Sequence, residues 1–200
     1  MSSLQSKIAL VTGAGRGAGQ AIALALGQQG AYVACLDINP DATEQTTARI
    51  VQAGGRAASY MADVSNKMAL QTALYAVLEE HGRIDVLVSA VRVTPHSPAL
   101  KMDEWEWDRV LDTNLKGAFL VAQTTARAMK ETGGGVILNV IRPVSEASHV
   151  AARVAREGLI GLTAALADEW REFGVRVELL EATAEAEETG QRAIAKIKTQ

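Results

Sequence analysis

The chain has 200 residues, 48% of them hydrophobic, with 20 Lys and Arg against 23 Asp and Glu, one cysteine and three histidines. This is enough for one well-filled core and too little for two full domains, so a single domain over 1–200 is expected. The net charge of −3 is spread along the chain, and the basic stretch near Lys196 and Lys198 is short, which argues against a nucleic-acid or membrane-surface partner.

Met1–Lys7 is polar and short, unlike a signal peptide, and no apolar run reaches spanning length, so a cytoplasmic protein is expected. Strand-like runs at Ile8–Val11, Tyr32–Asp37, Arg56–Met61, Val86–Ser89, Val136–Ile141 and Val175–Leu180 alternate with helix-like ones. The helical spacing covers Gln20–Gly30, Asp41–Ala53, Lys67–His81, Asp103–Lys130 and Ala147–Phe173. Glycines at 54–55, 82 and 133–135 fall where helices should stop. The order predicts an α/β fold, a doubly wound parallel sheet of about six strands with helices on both faces. A last helix is expected within 181–200, available to cover the free edge of the sixth strand. Cys35 lies inside an apolar run and reads as a buried, inert thiol with no intrachain disulfide. His81, His96 and His149 show no ligand spacing, so no metal is expected.

The first strand runs directly into Thr12-Gly13-Ala14-Gly15-Arg16-Gly17-Ala18-Gly19, which opens the first helix. A helix N-terminus presents unpaired N–H groups, and glycines let the backbone close on an anion, so this turn suits a dinucleotide pyrophosphate. Asp37 ends the second strand, where a carboxylate can accept from both hydroxyls of an adenosine ribose and repels a 2′-phosphate. That favours NAD(H) over NADP, with Ile38 beside it, although Arg16 pulls the other way.

Thr12-Gly13-x-x-x-Gly17-x-Gly19 after a first strand resembles the short-chain dehydrogenase/reductase family, whose fold is of the Rossmann type. The resemblance continues through Trp107-Asp108-Arg109-Val110-Leu111-Asp112-Thr113-Asn114, Gly158-Leu159-Ile160-Gly161-Leu162-Thr163 and Val175-Arg176-Val177, and covers residues 5 to about 180. It implies adenine contacts from Asp63 and Val64, cofactor contacts from Ser89 and Ala90, and a supporting role in the proton relay for Asn114. Trp105 and Trp107 read as core or interface packing.

The family's chemistry uses a tyrosine as proton donor, a lysine four residues on along the same helix face, and a serine on a neighbouring strand end. By the resemblance these positions fall on Ala152, Arg156 and Arg142, so only Asn114 of the catalytic set is present. Arg92 stands where the family has a glycine beside the nicotinamide ribose, and Glu181-Ala182 replaces its Pro-Gly turn. No substrate lid or seventh strand is recognisable beyond that point.

Three functions remain open on this reading: an NAD(H)-binding pseudoenzyme, an oxidoreductase using His149, Ser145, His96 or water as proton donor, and a structural module without cofactor. Arg92, Arg142, Arg153 and Arg156 are either solvated or paired with Glu146 and Glu157, or they form an anion pocket between Arg142 and Arg156. Cationic neighbours there disfavour a positively charged nicotinamide, so NADH should bind better than NAD⁺. The two long helices, 103–130 and 147–173, are the expected homodimer surface.

Overall fold

A computed structural model describes residues 4–143 and 149–199. Six parallel strands form one sheet in the order β3-β2-β1-β4-β5-β6: β1 Ile8–Thr12, β2 Tyr32–Asp37, β3 Arg56–Met61, β4 Val86–Ser89, β5 Gly135–Ile141 and β6 Val175–Glu181. The order reverses between β1 and β4, and ligands of open α/β sheets bind in the crevice this leaves at the carboxyl ends of the strands. The central strands are near-continuous apolar runs because both sheet faces are covered, and β1 and β4 have almost no exposed residue.

Helices α1 (Gly17–Gln28), α2 (Pro40–Gln52) and α7 (Ala186–Lys198) lie on one face, sharing a core of Ile22, Leu26, Ile50, Ala193 and Ile197 with alternate residues of the strands. On the other face lie α3 (Lys67–His81), α4 (Glu104–Leu111), α5 (Gly117–Glu131) and α6 (Val150–Trp170), around Leu70, Leu74, Val121, Met129 and Leu166. Local chemistry sets the ends of several helices. Asn39 caps α2, with Pro40 at its first position, and Asn66 caps α3 through the N–H groups of Met68 and Ala69. Gly82 ends α3 in the left-handed region at φ 73.

Two expectations change. The run 103–130 is not one helix: a π turn at Asp112–Lys116 separates α4 from α5 and contains Asn114. Apolar periodicity alone does not register one extra residue per turn. The C-terminal helix does not lie along the edge of β6. It packs on α1, where Gly190 allows close approach to the Ala21 carbonyl, and Arg176 of β6 donates to the Lys196 and Ile197 carbonyls at its end.

At the opposite end of the sheet from the crevice, Asp85 ties the chain together. Its carboxylate accepts from the Ile8 N–H at 2.9 Å and from Lys7 at 3.0 Å, and pairs with Arg83. Burial pushes the Asp85 carboxyl up, but the Ile8 N–H, Lys7 and Arg83 outweigh it and hold it below the usual range. A depressed folded value means this contribution is complete above the unfolded value of about 3.9 and is lost as pH falls through the folded one. Asp85→Asn should therefore cost about 1–2 kcal/mol at neutral pH, with the gap closing in acid. Urea titrations that leave the gap unchanged below about pH 3 contradict this.

Candidate active site

The glycine turn between β1 and α1 is built by contacts that exclude side chains. A Cβ on Gly19 would lie 2.1 Å from the Gly13 carbonyl oxygen, and one on Gly13, at φ 69, would lie 2.9 Å from the backbone of Ala90. Thr12 Oγ1 accepts from the Ala90 N–H at 3.3 Å and donates to the Val88 carbonyl, pinning the end of β4 against the turn. Asp37 closes the other side. Its carboxylate accepts from Gly15 N–H at 3.2 Å and Asn39 N–H at 3.1 Å, leaving lone pairs on both oxygens for a ribose diol. A cavity of about 390 Å³ follows, lined by Gly13, Arg16, Gly17, Ala18, Asp37 and Ile38 at one end and by Ala90, Arg92 and Arg142 at the other.

Next to it lies a smaller cavity of about 50 Å³, bordered by Asn114, Val140, Ala152, Arg153, Arg156 and Leu159, with Arg92 and Arg142 shared between the two. Among the described residues, its lining carries no hydroxyl, imidazole, thiol or amine. Asn114 is committed elsewhere: its amide accepts from the Val93 N–H and donates to the Val93 carbonyl, both at 2.8 Å. The residue thus anchors the loop after β4, and with it the position of Arg92, from the π turn. Arg156 is neutralised. One guanidinium nitrogen meets Glu157 at 2.6 Å, another meets Glu181 at 2.8 Å, and Nε donates to the Arg142 carbonyl at 3.1 Å. The two carboxylates hold its already high pKa higher still.

Arg142 turns the other way, toward the glycine turn: a Cβ on Gly17 would lie 2.8 Å from its Nη2. Partial burial lowers the pKa of Arg92, and the Arg142 guanidinium beside it lowers it further. The cationic pair facing the cleft is therefore Arg92 with Arg142. The expected pair of Arg142 and Arg156 is not formed as anion jaws, because Glu157 and Glu181 already occupy Arg156. Sequence spacing points to Glu157, but Glu181, from β6, is visible only once β5 and β6 are paired.

The sequence profile described as short chain dehydrogenase matches residues 7–192. The chain belongs to the short-chain dehydrogenase family. It is 37% identical over 193 residues to D-threitol dehydrogenase of Mycolicibacterium smegmatis, covering 95% of this chain and 74% of that one. It is 32% identical over 193 residues to NAD-dependent glycerol dehydrogenase of Listeria innocua, covering 95% and 75%. The crystal structure of a metagenomic short-chain oxidoreductase in complex with NADP superposes with a TM-score of 0.93 at 34% identity, covering 100% of this chain and 93% of that one. Members of this short-chain dehydrogenase family are oxidoreductases that bind NAD(P), and the six-stranded sheet with helices on both faces superposes on a solved member.

Within this short-chain dehydrogenase frame, Gly13, Gly17, Ala18, Asp37, Ile38 and Ala90 meet in the larger cavity, as does Arg16. Gly15 and Gly19 shape the turn from behind, and Ser89 is buried at the end of β4. Asp63 and Val64 follow β3. Asp63 accepts from the N–H and hydroxyl of Ser65, and Val64 is buried and packs against Gly117.

His149 caps α6 without a side-chain bond and lies outside the smaller cavity's lining, and Ser145 and Glu146 fall outside the described residues. His96 lies on the loop before α4, its N–H given to Glu106. Trp105 is exposed, with Arg109 over its ring, so it is not core, whereas Trp107 is half-buried near Val110. Cys35 is fully buried, and burial pushes its thiol up to about 11. Among the described residues no three His, Cys, Asp or Glu side chains are placed to hold a metal ion, and no helix is long and apolar enough to cross a membrane.

Proposed function

We propose that this member of the family binds a nucleotide of the NAD(H) type but transfers hydride weakly or not at all, serving as a nucleotide-responsive or scaffolding module. The observation that carries this is the lining of the smaller cavity. At the place where the family's proton donor acts there is a methyl group, Ala152, flanked by arginine side chains. Alanine cannot exchange a proton with a carbonyl or alcohol oxygen, and Arg156 is already spent on Glu157 and Glu181. The Asn114 side-chain amide is tied to Val93 through its oxygen and its nitrogen, and an amide is no proton donor to replace the missing one.

Asp37 supports NAD(H) over NADP, since a 2′-phosphate beside its carboxylate meets like charge. Arg92 and Arg142 support NADH over NAD⁺ by repelling a cationic ring. Isothermal titration should give affinities in the order NADH, NAD⁺, NADPH, with NADH at least several-fold tighter than NAD⁺. Equal affinities for NADH and NAD⁺, or preference for NADPH, contradict the assignment. The buried lone thiol of Cys35 fits a cytoplasmic setting.

A homodimer through α5 and α6 belongs to the same reading. The outward side of α6 carries Val150, Val154, Gly161, Ala164 and Ala165, all exposed and small or apolar. Multi-angle light scattering should give twice the chain mass of 21.2 kDa. A monomer or tetramer would remove this part of the proposal.

A further inference from the structure

The larger cavity is furnished unevenly, and the two ends suit different chemistry. At the Asp37 end the chain offers ribose acceptors and a glycine turn that a diphosphate can approach. At the other end a dinucleotide needs room and neutral or donor groups for a second ribose and a nicotinamide ring. Arg92 and Arg142 occupy that end instead. Neither has a carboxylate partner among the described residues, and Arg142 points at Gly17, where the diphosphate would end. Two adjacent guanidinium groups repel unless an anion joins them, and guanidinium geometry matches a terminal phosphate with two or three free oxygens. A pyrophosphate diester, with one free charge on each phosphorus, uses such a pair less well. The smaller cavity beyond, about 50 Å³, does not admit a ring with its ribose in this conformation.

The geometry points to an adenosine 5′-diphosphate-type nucleotide as the ligand, its terminal phosphate held between Arg92 and Arg142 where a dinucleotide would continue to nicotinamide. This rests on the reading of the cleft as a nucleotide site and narrows it: the adenosine half of the family's cofactor site is kept, and its second half becomes a phosphate clamp. The binding is non-covalent, so no co-reactant is required. NADH remains a weaker ligand through the same adenosine end.

The test is isothermal titration of ADP, AMP and NADH into the intact chain and into Arg142→Gln and Arg92→Gln variants, whose melting curves confirm folding. ADP should bind at least about tenfold tighter than AMP and NADH, as expected for one or two charge-assisted contacts to an extra phosphate. Each variant should lose about tenfold in ADP affinity while AMP affinity changes less than about threefold. NADH binding as tightly as ADP, or ADP affinity unmoved by both variants, overturns the phosphate clamp and leaves the nucleotide cleft intact. Binding of none of the three overturns the cleft reading itself and the clamp with it. Because both arginines are exposed on the cleft wall, an Arg142→Lys variant gives a second check: it retains the charge, and recovery of less than half the lost affinity is expected where the forked geometry matters.

Discussion

Purified protein supplied with NADH and carbonyl compounds, or NAD⁺ and alcohols, is expected to turn over at about 0.01 s⁻¹ or slower. Enzymes typically work at about 1–10³ s⁻¹, and a positioned general acid contributes about 10²–10⁴ of that. On the proposed reading this contribution is missing, because among the described residues the charged groups lining the cavity beside Ala152 are arginines. The pH behaviour separates this from a merely slow catalyst. With no group titrating near neutrality in the described lining, any residual rate should change steadily with pH instead of forming a bell. A bell with limbs between about pH 5 and 9 would reveal an imidazole or activated hydroxyl at work and contradict the proposal.

The largest effect on stability is expected from Gly19→Ala. The added methyl would meet the Gly13 carbonyl oxygen at 2.1 Å and its carbon at 2.7 Å, both backbone atoms that cannot swing aside. Relief requires α1 to move away from β1 by roughly an ångström, which also withdraws the helix N-terminus from a bound diphosphate. A cost of at least about 3 kcal/mol is expected from such overpacking, a large part of a typical total of 5–15 kcal/mol. Nucleotide binding should be lost along with it. Gly82→Ala is the comparison: its methyl meets nothing within 4 Å, and only the left-handed backbone at φ 73 is strained, for about 1 kcal/mol. Chemical denaturation giving equal losses for both variants would mean that the close approach of α1 to β1 is not what Gly19 provides.

Much of this architecture was legible because it is written in local chemistry. β1, β4 and β5 are largely apolar runs, glycine directly precedes β3, β5 and β6, and the expected limits of all six strands lie within one residue of those observed. The glycine turn was legible for the same reason, since the strand, the glycines and the helix are contiguous. The features that escaped depend on pairs distant in sequence. Glu181 reaches Arg156 only because β6 lies beside β5, and Asn114 reaches Val93 only because a π turn rotates it toward the loop after β4. The same holds for Arg142. Sequence position places it near Arg156, but its side chain points toward Gly17, while Arg156 is taken by Glu157 and Glu181. The packing of α7 on α1 depended on Gly190 meeting the Ala21 carbonyl, a close contact that an Ala- and Glu-rich tail does not advertise.

The most direct measurement incubates the protein with NADH carrying deuterium at the transferable C4 position, together with a panel of ketones and aldehydes. Nucleotide fluorescence reports binding, and mass spectrometry reports where the deuterium resides. Bound NADH is expected to keep its label, with no deuterated alcohol above the protein-free control. Label appearing in an alcohol at more than about one turnover per second would contradict it, since that rate requires a proton donor beside Ala152.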